Sequence, residues 1–220
     1  MVSSSNAVPT TTIDAENLDK TFSGRPVLRG VSLRAAEGLT AVSGRNGSGK
    51  TTLLKILAGL LRPSAGAVRV QRDGHALTGS ERRLAVGWTG PDLALYGELT
   101  AIENLEFFRK VGGRPLPRSE VERRLADVGL AAAAARRVEE FSTGMKQRLR
   151  VAFALLFDPP VLLLDEPMTG LDIEGREMVH RVVAHARRRG VVVLASNDER
   201  DFVVPEQRVE LSRETVDGRQ

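Results

Sequence analysis

The chain has 220 residues, enough for one well-packed domain, and its 41% hydrophobic and 27% charged residues exclude a disordered or collagen-like chain. It contains no cysteine, which excludes disulfides, thiolate metal sites and a cysteine nucleophile. The formal net charge of +4 comes from basic residues scattered among acids, and only 4% of the residues are aromatic, so a mixed solvated surface is favoured over a nucleic-acid groove.

In chain order, a polar N-terminus over residues 1–12 is expected to be flexible. Short apolar runs predict strands at Leu39–Val42, Val161–Leu164 and Val191–Leu194. Helical periodicity predicts helices at Thr51–Leu61, Ala101–Val111, Glu120–Val128, Met145–Phe157 and Glu174–Arg189. Strands that alternate with helices predict an α/β fold, with a wholly helical stretch at Pro91–Phe141.

Local signals mark the ends of some helices. Thr100 with Glu103, and Ser119 with Glu122, predict capping boxes, and Gly190 is the predicted end of the helix that starts at Glu174. No apolar stretch approaches the roughly 18 residues of a membrane span, and the first residues lack a secretory signal. We therefore expect the chain to stay in the cytoplasm.

The segment after the first predicted strand carries the strongest functional signal. It has the pattern G-x-x-x-x-G-K-[ST], here Gly44-Arg45-Asn46-Gly47-Ser48-Gly49-Lys50-Thr51. Glycines allow backbone N–H groups to face phosphates, and the following helix N-terminus favours an anion. We expect Lys50 to reach the β- and γ-phosphates and Thr51 to bind Mg²⁺, with Thr52 also at the nucleotide. The alternative is a glycine-rich turn between a strand and a helix.

Two carboxylates, Asp165 and Glu166, directly follow the predicted strand Val161–Leu164. The carboxyl end of a central strand is where ligands bind in open α/β sheets. Asp165 would hold Mg²⁺, and Glu166 would orient and polarise the attacking water as a general base. The alternative is a solvated strand end with two charges. Together with the phosphate loop, the pair predicts phosphoryl transfer to water.

With these motifs in place, the chain resembles the nucleotide-binding subunits of ABC (ATP-binding cassette) transporters over nearly its full length. Further matching segments follow the family's order: Phe22; Val86-Gly87-Trp88 and Leu95–Leu105 around the Q-loop; Phe141-Ser142-Thr143-Gly144-Met145-Lys146-Gln147-Arg148 as the signature motif; and Thr169-Gly170-Leu171-Asp172 as the D-loop. The resemblance implies a RecA-like P-loop NTPase core with a small antiparallel β subdomain and a helical subdomain. It also implies one ATPase domain over 13–220, divided into 13–90, 91–141 and 142–220.

The resemblance also implies roles for individual residues. Phe22 would stack on adenine, the alternative being ordinary core packing. Ser142, Thr143 and Gly144 would contact the γ-phosphate held by an opposite subunit, which implies a head-to-tail pair of ATPase domains around two ATP molecules. Ser142 alone could simply be a helix N-cap.

The signature motif departs from the family's Leu-Ser-Gly-Gly-Gln, since it reads Phe141-Ser142-Thr143-Gly144-Met145 and keeps only the serine and the second glycine. Two further positions also depart from the family pattern. Pro91 stands where the Q-loop glutamine is expected, next to Asp92, and Asn197 stands in place of the switch histidine. An asparagine can donate a neutral hydrogen bond to the γ-phosphate but cannot carry a proton. Our hypothesis is that hydrolysis persists through Glu166, with Asn197 at the phosphate and Asp92 taking part of the metal or water contact. The histidines, expected at the surface or in packing, are His75, His180 and His185.

The implied function is that of an Mg²⁺-dependent ATPase subunit that powers a separate integral membrane permease. It would lie on the inner face of the cell membrane through that permease, as a homodimer or a heterodimer. Residues expected to form either a docking surface within Trp88–Lys110 or subdomain core are Leu93, Leu95, Tyr96, Phe107 and Phe108. The alternatives are a soluble ABC-type ATPase acting on nucleic acid or the ribosome, and an ATP-binding switch with little hydrolysis. The compact length resembles small export-type ATPases, including the heme-export subunit of cytochrome c maturation.

Overall fold

The computed structural model describes residues 10–112 and 116–211. Its strands are β1 (Thr11–Phe22), β2 (Arg25–Ala35), β3 (Gly38–Ser43), β4 (Ala65–Arg72), β5 (His75–Ala76), β6 (Val86–Thr89), β7 (Val161–Asp165), β8 (Val191–Ala195) and β9 (Gln207–Glu210). Its α-helices are α1 (Lys50–Leu57), α2 (Gly79–Ala85), α3 (Ala101–Val111), α4 (Arg118–Asp127), α5 (Thr143–Ala154) and α6 (Ile173–Ala186). Short 3₁₀ turns lie at Ala131–Ala133, Val138–Glu140 and Glu199–Asp201.

The first sheet is antiparallel, with the strand order β2-β1-β4-β5. Ile13 and Ala15 alternate with more exposed neighbours, as in a sheet with one face on the core. The alternation breaks at Asn17, whose φ is 48°, where the pairing with β4 shifts register. Because β1 begins at Thr11 and that side chain is buried, residues 11 and 12 belong to the sheet and not to the flexible N-terminus expected over 1–12. Residues 1–9 lie outside the described residues.

The second sheet is parallel, with the order β6-β7-β8-β3-β9. Every residue of β7 and β8 is buried, as expected for central parallel strands covered on both faces. The three strands predicted from apolar runs are confirmed as β3, β7 and β8. Asp165 pairs with Ala195 in the last register position, so the carboxyl ends of β7 and β8 meet at one edge.

Helix α3 has the predicted bounds, and its capping box is confirmed. The Thr100 hydroxyl accepts from the Glu103 N–H, and the Glu103 carboxylate accepts from the Thr100 N–H at 2.8 Å. The Ser119–Glu122 box is wrong, because α4 begins at Arg118 after the N-cap residue Pro117.

Several helix ends also differ from their predictions. Helices α1, α5 and α6 end at Leu57, Ala154 and Ala186, earlier than predicted. Contrary to the prediction, Gly190 does not end α6, because the helix already ends at Ala186. A glycine is needed at this position because a Cβ there would lie 2.1 Å from the Pro160 carbonyl oxygen. Helix periodicity in the sequence thus continues through the turns that follow these helices.

The buried apolar residues form two clusters on either side of the parallel sheet. One lies between this sheet and helices α3 to α6, and the other joins α1 to the antiparallel sheet. Close approach is required where β6 meets α5, because a Cβ on Gly87 would lie 2.1 Å from the Ala154 carbonyl oxygen. Among the described residues, no helix combines the length and apolar character needed to span a membrane. The α/β prediction is confirmed, and the subdomain bounds 13–90, 91–141 and 142–220 stay a prediction.

Candidate active site

The phosphate-loop segment joins the end of β3 to the start of α1. Gly44 and Gly49 have φ values of 151° and 98°, in the region that favours glycine. Side chains would also clash there: a Cβ on Gly44 would lie 2.5 Å from the Leu211 carbonyl oxygen, and one on Gly49 would lie 2.8 Å from Leu28. The loop between them is exposed at residues 45–47. The segment therefore forms an open, glycine-dependent turn at a helix N-terminus, as an anion site requires.

Lys50 is buried and its ammonium group turns back over the loop. The Nζ atom donates to the carbonyl oxygens of Gly44 at 2.7 Å and Arg45 at 3.4 Å. It also lies 3.7 Å from Oε1 of Glu166. The predicted phosphate-binding lysine and the predicted general base are thus brought together.

Asp165 ends β7 and is fully buried. Neither of its carboxylate oxygens has a hydrogen-bond partner within the described ranges. Burial raises the pKa of Asp165, while Thr51 and the Lys50 charge partly offset this effect. A buried, unpartnered carboxylate beside a threonine hydroxyl fits a hard cation such as Mg²⁺. Residues 10–112 and 116–211 contain no group of three or more His, Asp or Glu side chains arranged to hold a metal.

Glu166 follows on the same strand end with a φ of 48°, an uncommon backbone conformation for a residue other than glycine. Its N–H donates to the Ala195 carbonyl oxygen at 2.9 Å, which ties it to the end of β8. Burial raises the pKa of Glu166, and the Lys50 charge lowers it to a smaller extent. The side chain is therefore held beside the phosphate loop by its backbone.

Sequence reasoning missed two polar residues that contact the Glu166 segment. The Ser196 hydroxyl lies 3.3 Å from Oε2 of Glu166. Nε2 of Gln147, on α5, donates to the carbonyl oxygens of Pro167 at 3.1 Å and Glu166 at 3.4 Å. Ser196 directly follows the predicted buried strand Val191–Leu194 and Ala195, so the strand-end rule that found Asp165 could have found it. The Gln147 contact has no comparable signal.

Asn197 and Asp92, the residues expected to compensate for the missing switch histidine and Q-loop glutamine, lie at different places around the loop. Asn197 is exposed and its Nδ2 donates to Oδ1 of Asn46, at the tip of the phosphate loop, at 3.1 Å. Asp92 is half-exposed and pairs with Lys55 on α1. The negative charge of Asp92 contributes to the raised pKa of Asp165. The structure thus brings Asn197 to the loop and places Asp92 close enough to act on Asp165 electrostatically.

The segment resembling a signature motif begins α5. Ser142 is its N-cap, and its hydroxyl accepts from the Met145 N–H at 3.2 Å. Ser142 and Thr143 are exposed, and Gly144 faces the Thr169–Asp172 turn, where a Cβ would lie 3.1 Å from the Gly170 carbonyl oxygen. Capping thus accounts for Ser142 within one chain, while its hydroxyl remains at the surface.

The remaining predicted residues divide between surface and packing. Phe22 is 45% exposed at the end of β1, with Lys20 over its ring at 4.9 Å, so core packing does not account for it.

Tyr96 and Phe107 are 44% and 40% exposed, with ring centroids 5.1 Å apart. Phe108 packs edge-on against Phe153 on α5 at 4.4 Å. Leu93 and Leu95 are part-buried against the core clusters. His75 and His185 are exposed and His180 is part-buried, on β5 and α6.

A phosphate loop joins β3 of the parallel sheet to helix α1, and an acidic pair lies at the carboxyl end of β7, with β8 between the two strands. This arrangement defines a P-loop α/β protein that binds nucleotides. The family model described as ABC transporter matches residues 28–169. The chain belongs to this family, which confirms the ABC-type ATPase fold expected from the resemblance.

Individual relatives agree with the family match. The ABC transporter ATP-binding protein NatA of Bacillus subtilis (strain 168) is 36% identical over 176 residues, which is 77% of this chain and 71% of the relative. The cytochrome c biogenesis ATP-binding export protein CcmA of Alkalilimnicola ehrlichii is 37% identical over 190 residues, 84% of this chain and 80% of the relative. The bacterial ABC transporter cassette MJ0796 was solved as a dimer and in a post-hydrolysis state with ADP and Pi. Each structure has a TM-score of 0.78 and 25% identity, and covers 90% of this chain and 94% of the cassette.

Proposed function

We propose that this chain is the Mg²⁺-dependent, ATP-hydrolysing subunit of an ABC transporter and drives a separate integral membrane permease through ATP-dependent closure of a dimer. One observation carries the hydrolytic part: Nζ of Lys50 in the phosphate loop lies 3.7 Å from Oε1 of Glu166. A phosphate-binding cation and a general base in one site suit transfer of the γ-phosphoryl group to water.

The side chains divide the chemistry between them. ATP phosphates would replace the Gly44 carbonyl as the partner of Lys50, and the Gly44–Lys50 backbone would receive the phosphate oxygens. Glu166, whose pKa is raised by burial, would take a proton from the attacking water more readily than an ordinary carboxylate. Asn197 would donate to the γ-phosphate, and Phe22 would stack on the base.

Thr51 and Asp165 would hold Mg²⁺, with Asp92 as a further contributor. Support comes from the buried carboxylate oxygens of Asp165, which have no hydrogen-bond partner among the described residues. Bound Mg²⁺ would neutralise charge on the β- and γ-phosphate oxygens. Asp92 already pairs with Lys55. It would therefore bind the metal only after this ion pair opens, or act on the metal site from a distance through its negative charge.

A second ATPase domain, identical or not, would complete each ATP site. The exposed Ser142 hydroxyl at the start of α5 is suited to an anion from another chain. The dimeric form of the MJ0796 cassette supports this arrangement. Ser142, Thr143 and Gly144 of one copy would then face the γ-phosphate bound by the other.

The permease would dock on the surface that includes Tyr96 and Phe107, and through it the chain would be held at the inner face of the membrane. These two aromatic side chains are exposed next to packed neighbours, as in an apolar contact site. NatA is named for ATP binding in an ABC transporter and CcmA for export in cytochrome c biogenesis.

Purification from membranes in mild detergent tests the proposal. The expected result is an ATPase that copurifies with a multi-span membrane protein, and Phe107→Glu should lose that protein while it keeps ATP turnover. Leu60→Glu, at a leucine that is also exposed but far from Phe107 in the chain, is the matched control and should keep both. ATP turnover stimulated by DNA or RNA, with no membrane partner, would instead support the soluble alternative.

A further inference from the structure

The Ser196 hydroxyl lies between two carboxylates. Its Oγ is 2.6 Å from Oδ2 of Asp201 and 3.3 Å from Oε2 of Glu166, and Ser196 is fully buried. A hydroxyl has one hydrogen, so it donates to one of the two carboxylates at a time. The 2.6 Å separation is typical of a charge-assisted O–H···O⁻ bond, which favours donation to Asp201 in this arrangement.

Besides the two carboxylates, a backbone N–H contacts Oγ and keeps it at the end of β8, near both of them. Oγ accepts from the Asp198 N–H at 3.1 Å. Asp201 is 4% exposed, and its second oxygen, Oδ1, accepts from Nη1 of Arg176 at 2.8 Å. Arg176 lies in the first turn of α6, so this network joins the loop after β8 to the helix that follows the Thr169–Asp172 turn.

Glu166 is held differently at each carboxylate oxygen. Oε1 faces the Lys50 ammonium at 3.7 Å, and Oε2 faces the Ser196 hydroxyl at 3.3 Å. Asn197, the residue at the expected switch position, reaches Asn46. The contact to Glu166 from this loop therefore comes from Ser196.

We propose that Ser196 and Asp201 are positioning residues for Glu166, a role that rests on the proposed hydrolytic function. Asp201 accepts from the Ser196 hydroxyl and so keeps this side chain beside Glu166 in the nucleotide-free site. When Glu166 aligns the attacking water, Oγ moves off Asp201 as its hydrogen turns to donate to Oε2. Orientation of the carboxylate from both of its oxygens restricts the geometry of the base. A residue that does this should affect turnover more than ATP binding.

The decisive variants keep or remove the hydroxyl alone. Ser196→Ala should lower kcat by about tenfold and leave the KM for ATP within about twofold. The variant lacks a hydrogen bond to a charged group that acts in the hydrolytic step and not in ATP binding. Ser196→Thr keeps the hydroxyl and should recover most of the lost kcat. Thr40→Val removes another buried hydroxyl from the neighbouring strand β3 and should leave kcat unchanged.

A double-mutant cycle with Asp201→Asn tests whether the two residues act together. The Ser196→Ala/Asp201→Asn pair should be no slower than the slower single variant, because both changes break one path to Glu166. If Asp201→Asn does not fold, the Ala and Thr variants at Ser196 decide. Unchanged kcat in Ser196→Ala, a loss that appears in KM, or no rescue by Thr would overturn the proposal.

Glu166→Gln separates this inference from the proposed function. If Glu166→Gln turns over ATP like the unchanged chain, the role of Glu166 fails and the positioning role fails with it. If Glu166→Gln is inactive and Ser196→Ala is fully active, only the positioning role of Ser196 and Asp201 is wrong.

Discussion

The side-chain amide of Asn197 donates a hydrogen bond to the side-chain oxygen of Asn46, with 3.1 Å between the two atoms. This contact joins the loop after β8 to the tip of the phosphate loop. Both side chains are exposed, so the bond crosses the open face of the site. An amide here can donate to a phosphate without changing its protonation state.

Asn197→Ala should therefore slow hydrolysis without abolishing ATP binding. We expect kcat to fall about tenfold, the effect of one hydrogen bond to a charged group. Phosphate release and titration with a fluorescent ATP analogue measure the two properties. Asn46→Ala removes the same inter-loop bond but keeps the Asn197 amide, so its kcat should fall less. Equal losses would contradict a role of Asn197 at the phosphate.

Asp92 can be separated from its ion pair by two substitutions. Asp92→Asn should lower ATP turnover by about tenfold if the carboxylate helps to hold the metal or water. Lys55→Met breaks the same Asp92–Lys55 pair and should leave turnover within about twofold, since half-exposed ion pairs contribute little. Steady-state turnover over a range of Mg²⁺ concentrations measures both. Identical behaviour of the two variants removes Asp92 from the chemistry.

Asp165→Asn should stabilise the nucleotide-free protein and inactivate it. The carboxyl group is fully buried without a hydrogen-bond partner in the described part of the chain, and burial disfavours its charged form, so a neutral amide should raise Tm by about 2 to 4 °C, equivalent to about 1 kcal/mol. The further increase in Tm on addition of Mg²⁺ and ATP should be largely lost. A thermal melt with and without Mg²⁺-ATP is the measurement. A lower Tm in the nucleotide-free variant would show that the carboxylate is satisfied.

Gly87→Ala should destabilise the contact between β6 and α5. The added Cβ would lie 2.1 Å from the Ala154 carbonyl oxygen, so backbone must move, at a cost of about 1 to 3 kcal/mol. Gly97→Ala is the matched control, because its Cβ would meet Glu139 at an ordinary 3.6 Å. Urea unfolding of both variants gives the comparison. Equal stability of the two would mean that β6 and α5 are not so closely packed.

The central strands could be predicted because they are continuous apolar runs. Val161–Leu164 and Val191–Leu194 carry this signal, and α3 carries both a helical period and a capping box. Strand β4 could not be found this way, since AGAVRVQR contains two arginines and is largely exposed. Strand β1 was obscured by the register shift at Asn17.

The site divides in a similar way. The phosphate loop is one continuous segment, and Asp165 and Glu166 are neighbours in the sequence. The chemistry of each motif could therefore be predicted from residue spacing. The contact between Ser196 and Glu166 depends on the register of β7 against β8, which places Asp165 opposite Ala195. The α5 contact of Gln147 depends on packing between distant segments. Contacts of this kind join segments that are distant in the sequence, so they can be identified only from the folded structure.

ATP turnover by Glu166→Gln, measured together with ATP affinity, tests the hydrolytic role of this site most directly. Glutamine keeps the size of the side chain and removes its capacity to accept a proton, so turnover should fall by about a hundredfold or more while ATP affinity stays within about threefold. Turnover equal to that of the unchanged chain, at the same affinity, would contradict hydrolysis through Glu166.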